Sequence, residues 1–287
     1  MAFEPENLGL SSAGLPLLRD LIHERTGLFY DNGRCEALSD RMAPLVIQRG
    51  FRSFLDFYYL LKYDEGELGD EWRRVMDALS VQETYFWREI AQIHGFVQSV
   101  LPALVRDTAD RPIRIWSVPC ATGEEPLTIA MALSEAGWFD RTRITIHASD
   151  ASSAAIAKAR IGRYRERSFR SLPAFLREKY FVERDGAWEP VQTLRDRIAS
   201  WSVVNLASAE EIAPYASSPV IFCRNAFIYF SPSSVKAVVS ALADRMPMPS
   251  YLFVGASESL LNVTDRFMLQ DLDQAFVYVK RESATDV

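Results

Sequence analysis

The chain has 287 residues, 48% of them hydrophobic and 24% charged, with a formal net charge of −6. Such a length predicts about two domains with a sizeable core, and such a balance predicts a soluble globular protein. The acidic excess argues against a general nucleic-acid binder, which needs a basic field to displace phosphate counterions.

The N-terminus, Met1-Ala2-Phe3-Glu4-Pro5-Glu6, lacks the basic start and apolar core of a signal peptide. No apolar run approaches the roughly 20 residues that span a bilayer, so the expected place is the cytoplasm, with no direct membrane insertion. Residues 1–80 read as an all-α domain. Leu17, Leu18, Leu21, Ile22 and Arg25 recur with helical period up to Gly27, which is placed to stop the helix. Leu38, Met42, Leu45 and Val46 mark a second helix, which Pro44 should kink or end early. Phe54, Phe57, Tyr58 and Leu61 mark a third, and Trp72, Val75, Met76 and Leu79 a fourth. Cys35, Cys120 and Cys223 are too widely spaced for a disulfide framework, and no Cys or His pair stands at zinc-ligand spacing, so no metal is expected.

Residues 81–112 read as a linker and a first helix leading into a larger domain, 113–287. There the pattern alternates: strands at 113–115, 144–148, 220–223, 251–255 and 275–279, with helices at 154–160 and 235–246. Alternation of this kind predicts a mostly parallel α/β sheet covered on both faces. Residues from about 177 to 204 break the rhythm. Tyr180-Phe181-Val182, a turn at Arg184-Asp185-Gly186, then Trp188 and Val191 predict a small antiparallel β-subdomain inserted there.

The first strand runs through Trp116-Ser117-Val118-Pro119-Cys120-Ala121-Thr122-Gly123-Glu124-Glu125-Pro126 into an apolar helix. Open α/β sheets bind nucleotides at such a turn. One glycine and two carboxylates, without a Gly-Lys pair, suit a pyrophosphate poorly. A cationic ligand with ribose hydroxyls, such as S-adenosylmethionine, suits them better. Asp150 follows the second strand, where a Rossmann-like site keeps an acid for the ribose; the alternative is that Asp150 or Ser152 caps the next helix. Glu125 is favoured by the helix dipole whatever its function. Arg224-Asn225 at a strand end also reads as a loop clamp.

Two further segments, Gln82-Glu83-Thr84-Tyr85-Phe86-Trp87-Arg88-Glu89 and Cys223-Arg224-Asn225-Ala226-Phe227-Ile228-Tyr229-Phe230, join this turn and Ser257-Glu258-Ser259 in one order. In order and spacing they resemble the CheR family of chemotaxis receptor methyltransferases, over roughly residues 12 to 281. The resemblance implies a Rossmann-like class I methyltransferase sheet with an all-α N-terminal domain and a small antiparallel β-subdomain insertion. It implies S-adenosyl-L-methionine as cofactor, S-adenosyl-L-homocysteine as product, and methyl transfer to glutamate side chains of chemoreceptor cytoplasmic helices.

By that resemblance Gln82, Thr84, Arg88, Gly123, Glu125, Asp150, Asn205, Leu206, Arg224 and Asn225 bind the cofactor, with Asn205-Leu206 at the adenine edge. Arg88 and Tyr229 lie beside the transferred methyl as the catalytic pair. Gln82 stands where the family usually has asparagine, so the same amide contacts require the backbone to retreat by a methylene. The basic second helix of the family is reduced here to Arg41, with Arg49 and Arg52 just beyond. The β-subdomain turn lacks Gly-x-Gly and carries Pro190, so a monomer acting without a C-terminal pentapeptide tether is expected. Two alternatives are a methyltransferase for another carboxylate and a cofactor-binding scaffold without turnover.

Overall fold

A computed structural model describes residues 10–64, 69–108 and 111–281. Four helices come first: α1 Leu15–Thr26, α2 Cys35–Gln48, α3 Phe54–Lys62 and α4 Asp70–Leu79. Their apolar stripes meet in one core that includes Leu18, Ile22, Leu38, Met42, Val46, Phe54, Phe57, Leu61 and Val75. Gly27 ends α1 in the left-handed conformation, its N–H reaching the carbonyl of His23 at 2.9 Å. Ser53 caps α3 by accepting from the Asp56 N–H at 3.1 Å.

Of the two outcomes expected at Pro44, a kink or an early end, the early end does not occur, for the helix runs on to Gln48. A proline inside a helix costs about 3 kcal/mol. Leu45 and Val46 lie beyond it and are buried, and each such side chain returns about 1.5–3 kcal/mol, so packing wins.

After α5 Ile90–Gly95, a π-helical turn at Phe96–Val100 and α6 Leu101–Thr108, the chain enters the sheet. Strands β1 Ile113–Ser117 and β2 Ile144–Asp150 are separated by α7 Glu124–Glu135, and β2 is followed by α8 Ser153–Ile161. Then come α9 Ala174–Tyr180, the strands β3 Phe181–Arg184 and β4 Ala187–Pro190, and α10 Gln192–Arg195. The rest is β5 Ile198–Val203, α11 Ala209–Ala216, β6 Val220–Phe222, α12 Pro232–Arg245, β7 Tyr251–Phe253, β8 Phe267–Asp271 and β9 Phe276–Lys280. The seven-stranded sheet has the order β5-β2-β1-β6-β7-β9-β8; its first five strands are parallel, β9 runs antiparallel to β7, and β8 antiparallel to β9.

Central strands buried on both faces need apolar side chains on both. Ile115 and Phe222 face one layer, with Phe96, Leu127 and Phe253, and Trp116 and Ile221 face the other, with Val239, Leu242 and Leu252. Phe222 and Phe253, paired in register, stack at 4.5 Å. The small subdomain is narrower than expected: only β3 and β4 form the separate antiparallel hairpin, and Ile198–Val203 instead extends the main sheet beside β2.

Candidate functional site

A cavity opens where β1, β2, β5 and β6 end and the helical domain faces them. Val118, Ala121, Glu125, Asp150, Leu206, Arg224 and Asn225 line it from the sheet, and Tyr30, Arg34, Arg41, Met76 and Leu79 from the helices. Thr84, Arg88, Asn205 and Tyr229 line it as well, whereas Gln82 and Gly123 do not. The Gln82 amide oxygen accepts from Lys158 Nζ at 2.8 Å, outside the cavity.

Gly123 acts through shape. Its φ of +98° is left-handed, and a Cβ there would lie 2.9 Å from the Trp201 ring and 3.0 Å from the Tyr164 hydroxyl. Only glycine closes this turn without displacing either ring. The turn is then fastened by Asp150, whose Oδ2 accepts the Ala121 N–H at 2.9 Å while Oδ1 accepts that of Ser152 at 2.8 Å. Ser152 itself caps α8 through Ala155. Of the two sequence readings, the cap falls to the serine, and the aspartate lines the cavity. Burial pushes the Asp150 carboxyl up, and the backbone N–H groups pull against it.

The paired acids of the turn divide. Glu124 is 2% exposed and takes hydrogen bonds from Thr122 Oγ1 at 2.7 Å and Ser168 Oγ at 2.9 Å, away from the cavity. It is a structural group, and burial pushes its carboxyl up. Glu125 lines the cavity, accepts from Ser117 Oγ at 2.7 Å and pairs with Arg224 Nη1 at 3.1 Å. Burial pushes Glu125 up too, with Arg224 and Ser117 opposing.

Arg224 organises the floor. Its side chain is 1% exposed; Nη2 reaches Glu89 Oε2 at 3.2 Å and the carbonyl of Arg88 at 2.9 Å, while Nε has no hydrogen-bond partner among the described residues. Glu89 also accepts from Asn225 Nδ2 at 3.2 Å and the Ala256 N–H at 3.0 Å. Burial works to raise the Glu89 carboxyl, but Arg224 and these donors bring it below its usual value. Around Arg88 the backbone is left-handed at both Trp87 (φ 70°) and Glu89 (φ 49°). Such residues persist only where surroundings hold them, and here the bonds from Arg224 to Arg88 O and from Trp87 N–H to Thr128 Oγ1 do so.

Glu258 is the clamp on the opposite side. It accepts from the N–H groups of Gly255 (2.6 Å), Phe227 (2.7 Å), Asn225 (2.8 Å) and Ile228 (3.3 Å), fixing left-handed Asn225 and the turn that carries Tyr229. Stranding several such donors makes Glu258→Ala about 2–4 kcal/mol less stable. Denaturant unfolding at the wild-type midpoint would remove Glu258 from this role.

Asn205 links the domains: its Nδ2 donates to the Arg25 carbonyl at 2.8 Å and its Oδ1 accepts from the Ala207 N–H at 3.0 Å. Sequence reasoning missed Glu89, which directly follows Arg88, and the cavity residues of the helical domain, Tyr30, Arg34, Met76 and Leu79. Only three-dimensional packing brings those four to the cavity. The donor set fits S-adenosylmethionine: acids at the turn and at β2, apolar Val118, Leu79 and Leu206, and a buried guanidinium with an unused N–H.

Comparison with known proteins agrees in both domains. The family described as "CheR methyltransferase, all-alpha domain" matches residues 13–80, and that described as "CheR methyltransferase, SAM binding domain" matches 82–276. Chemotaxis protein methyltransferase 2 of Vibrio cholerae is 32% identical, covering 91% of this chain and 91% of its own length. Chemotaxis protein methyltransferase 1 of Pseudomonas aeruginosa is 26% identical over 94% and 99% of the two chains, and the Escherichia coli chemotaxis protein methyltransferase is 28% identical over 92% and 91%. With both models matched in order over residues 13–80 and 82–276, the chain belongs to the CheR methyltransferase family.

Proposed function

We propose that the protein transfers a methyl group from S-adenosylmethionine to glutamate side chains of chemoreceptors, forming methyl esters. The observation that carries this reading is the convergence of Glu125 and Asp150 with Arg88 and Tyr229 on one cavity between the domains. When bound, S-adenosylmethionine supplies a methyl already activated on a sulfonium sulfur. A glutamate side chain in water titrates at about 4.3 and is already an anion at neutral pH, so no general base is needed. The protein's part is orientation, for which alignment of reacting groups supplies up to about 7–11 kcal/mol. Arg88 receives the substrate carboxylate. Its Nε lies 3.7 Å from Glu89 Oε1, a partial neutralisation that keeps it from over-stabilising the ground-state anion. Tyr229, clamped through Phe227 and Ile228, positions the methyl or its acceptor.

Labelled methyl transfer to receptor-containing membranes, with release of the label by mild base, tests the reading. Calorimetry with millimolar S-adenosylmethionine and S-adenosylhomocysteine tests the site. Binding of neither compound sinks it.

The receptor is read through its methylation helices, without a pentapeptide tether. Supporting this, the outer side of β4 is already engaged at Trp188, where Tyr164 and Trp188 exchange backbone hydrogen bonds of 2.9 and 2.7 Å. Strand addition needs an open edge. A specific micromolar complex of receptor C-terminal pentapeptides mapping to residues 178–204 would overturn it. Two of the three basic residues on and just after α2 are also engaged within the protein. Arg41 donates to the Leu79 carbonyl at 2.7 Å and Arg49 pairs with Glu71 at 2.6 Å. Receptor methylation is accordingly expected to depend only weakly on salt.

A further inference from the structure

We infer that Asp77 is a positioning residue: it latches the helical domain onto the loop that carries Asp150 and so sets the affinity of the cofactor site. The inference rests on the assignment of the cavity to S-adenosylmethionine. Asp77 lies on α4 between Met76 and Leu79, which line the cavity, but does not line it itself. Its Oδ1 accepts from Ser152 Oγ at 2.6 Å and the Ala154 N–H at 3.0 Å, and its Oδ2 accepts from Ser153 Oγ at 2.9 Å.

Those three donors are the loop after β2 and the first turn of α8, whose exposed N–H groups and positive dipole end favour a carboxylate. Here the carboxylate comes from the other domain. Ser152 is fully buried and carries the contact inward, because its N–H also holds Asp150 Oδ1 at 2.8 Å, and Asp150 Oδ2 holds the Ala121 N–H of the glycine turn. One continuous chain of hydrogen bonds thus runs from α4 through Ser152 and Asp150 to the turn after β1. It fixes the spacing between Met76 and Leu79 on one wall and Asp150 and Ala151 on the other. The Arg88 and Tyr229 sides of the cavity have no part in this chain. The latch therefore bears on binding and leaves the transfer step alone.

The test compares Asp77→Ala, Asp77→Asn and Ser153→Ala in the full-length protein, using calorimetry with S-adenosylhomocysteine and steady-state kinetics in S-adenosylmethionine. Loss of three bonds to a charged acceptor predicts that Asp77→Ala raises Kd and the cofactor KM about tenfold or more, with kcat within about twofold. Asp77→Asn keeps an oxygen for Ser152 and Ala154 and offers an N–H to the Ser153 hydroxyl, so it is expected within about threefold of wild type in Kd. Ser153→Ala removes one arm only and is expected to raise Kd about threefold, which keeps the test open should Asp77→Ala not fold. Wild-type Kd in both Asp77→Ala and Ser153→Ala, or a loss in kcat alone, overturns the latch. A wild-type protein that binds neither cofactor nor product overturns the cofactor assignment instead.

Discussion

Arg224→Met is expected to lower stability by about 3–5 kcal/mol, because removing one partner of a buried ion pair leaves uncompensated charge. Two carboxylates depend on this one cation: Glu125, 14% exposed, and Glu89, 23% exposed, at 3.1 and 3.2 Å from its two terminal nitrogens. Methionine matches the stem of arginine but answers neither acid, nor the carbonyl of Arg88 that holds the strained backbone in place. At about 2–4 °C per kcal/mol for a chain of this size, the melting temperature should fall by about 10 °C, and cofactor binding should be lost with it. The pH dependence gives an independent check. Burial already pushes Glu125 up, and Arg224 is the largest group opposing that, so in the variant its folded-state pKa rises further above the unfolded value. A raised acid favours the folded state as pH falls and costs stability as pH rises through that value. The deficit of Arg224→Met should therefore be larger at pH 8 than at pH 5. Equal deficits at the two values would show that the two carboxylates do not rely on Arg224.

The elements with strong periodicity were legible in the sequence, and so was the turn. Most residues of the four helical stripes lie in the helical core, because apolar side chains at 3.6-residue spacing share one face; Leu17 is exposed instead, and Met76 turns to the cavity. Pro44 does not end its helix early because a local rule was set against two buried side chains downstream. β5 was missed as a sheet strand for a different reason: only Ile198 of its six residues is buried, so Ala199 to Val203 carry no clean alternation. Its place is set by pairing with β2, a partner some fifty positions away. At the site, most of the residues that line the cavity from the sheet were readable, but their division of labour was not. Glu124 and Glu125 are adjacent and chemically identical. The helix geometry turns the first toward Thr122 and Ser168 and the second toward Arg224 and the cavity. Asp77 carried no signal, since an acid late in an amphipathic helix ordinarily faces water.

Turnover should fall most on removal of Arg88 and Tyr229, and the two losses should differ in kind. Arg88→Ala takes away a guanidinium that lines the cavity and bonds the Glu83 carbonyl at 2.9 Å. The cofactor and the substrate carboxylate both lose a cation, so kcat/KM should drop by on the order of 100-fold with a weaker Kd for S-adenosylhomocysteine. Tyr229→Phe deletes a single hydroxyl. The aromatic ring stays, and so do the backbone bonds from the Phe29 N–H to Tyr229 O at 2.8 Å and from the Tyr229 N–H to Ala226 O at 3.1 Å, so the fold around it should be unchanged. If the hydroxyl acts only where methyl and acceptor oxygen meet, kcat should fall roughly tenfold while cofactor Kd stays at the wild-type value. Lysine at position 88 adds a further discriminator, because it keeps the charge and loses the planar fork that a carboxylate binds in bidentate fashion. Arg88→Lys is expected to recover cofactor affinity more than turnover. Full recovery of both would reduce Arg88 to a point charge, and unchanged kcat in Tyr229→Phe would remove that hydroxyl from the transfer step.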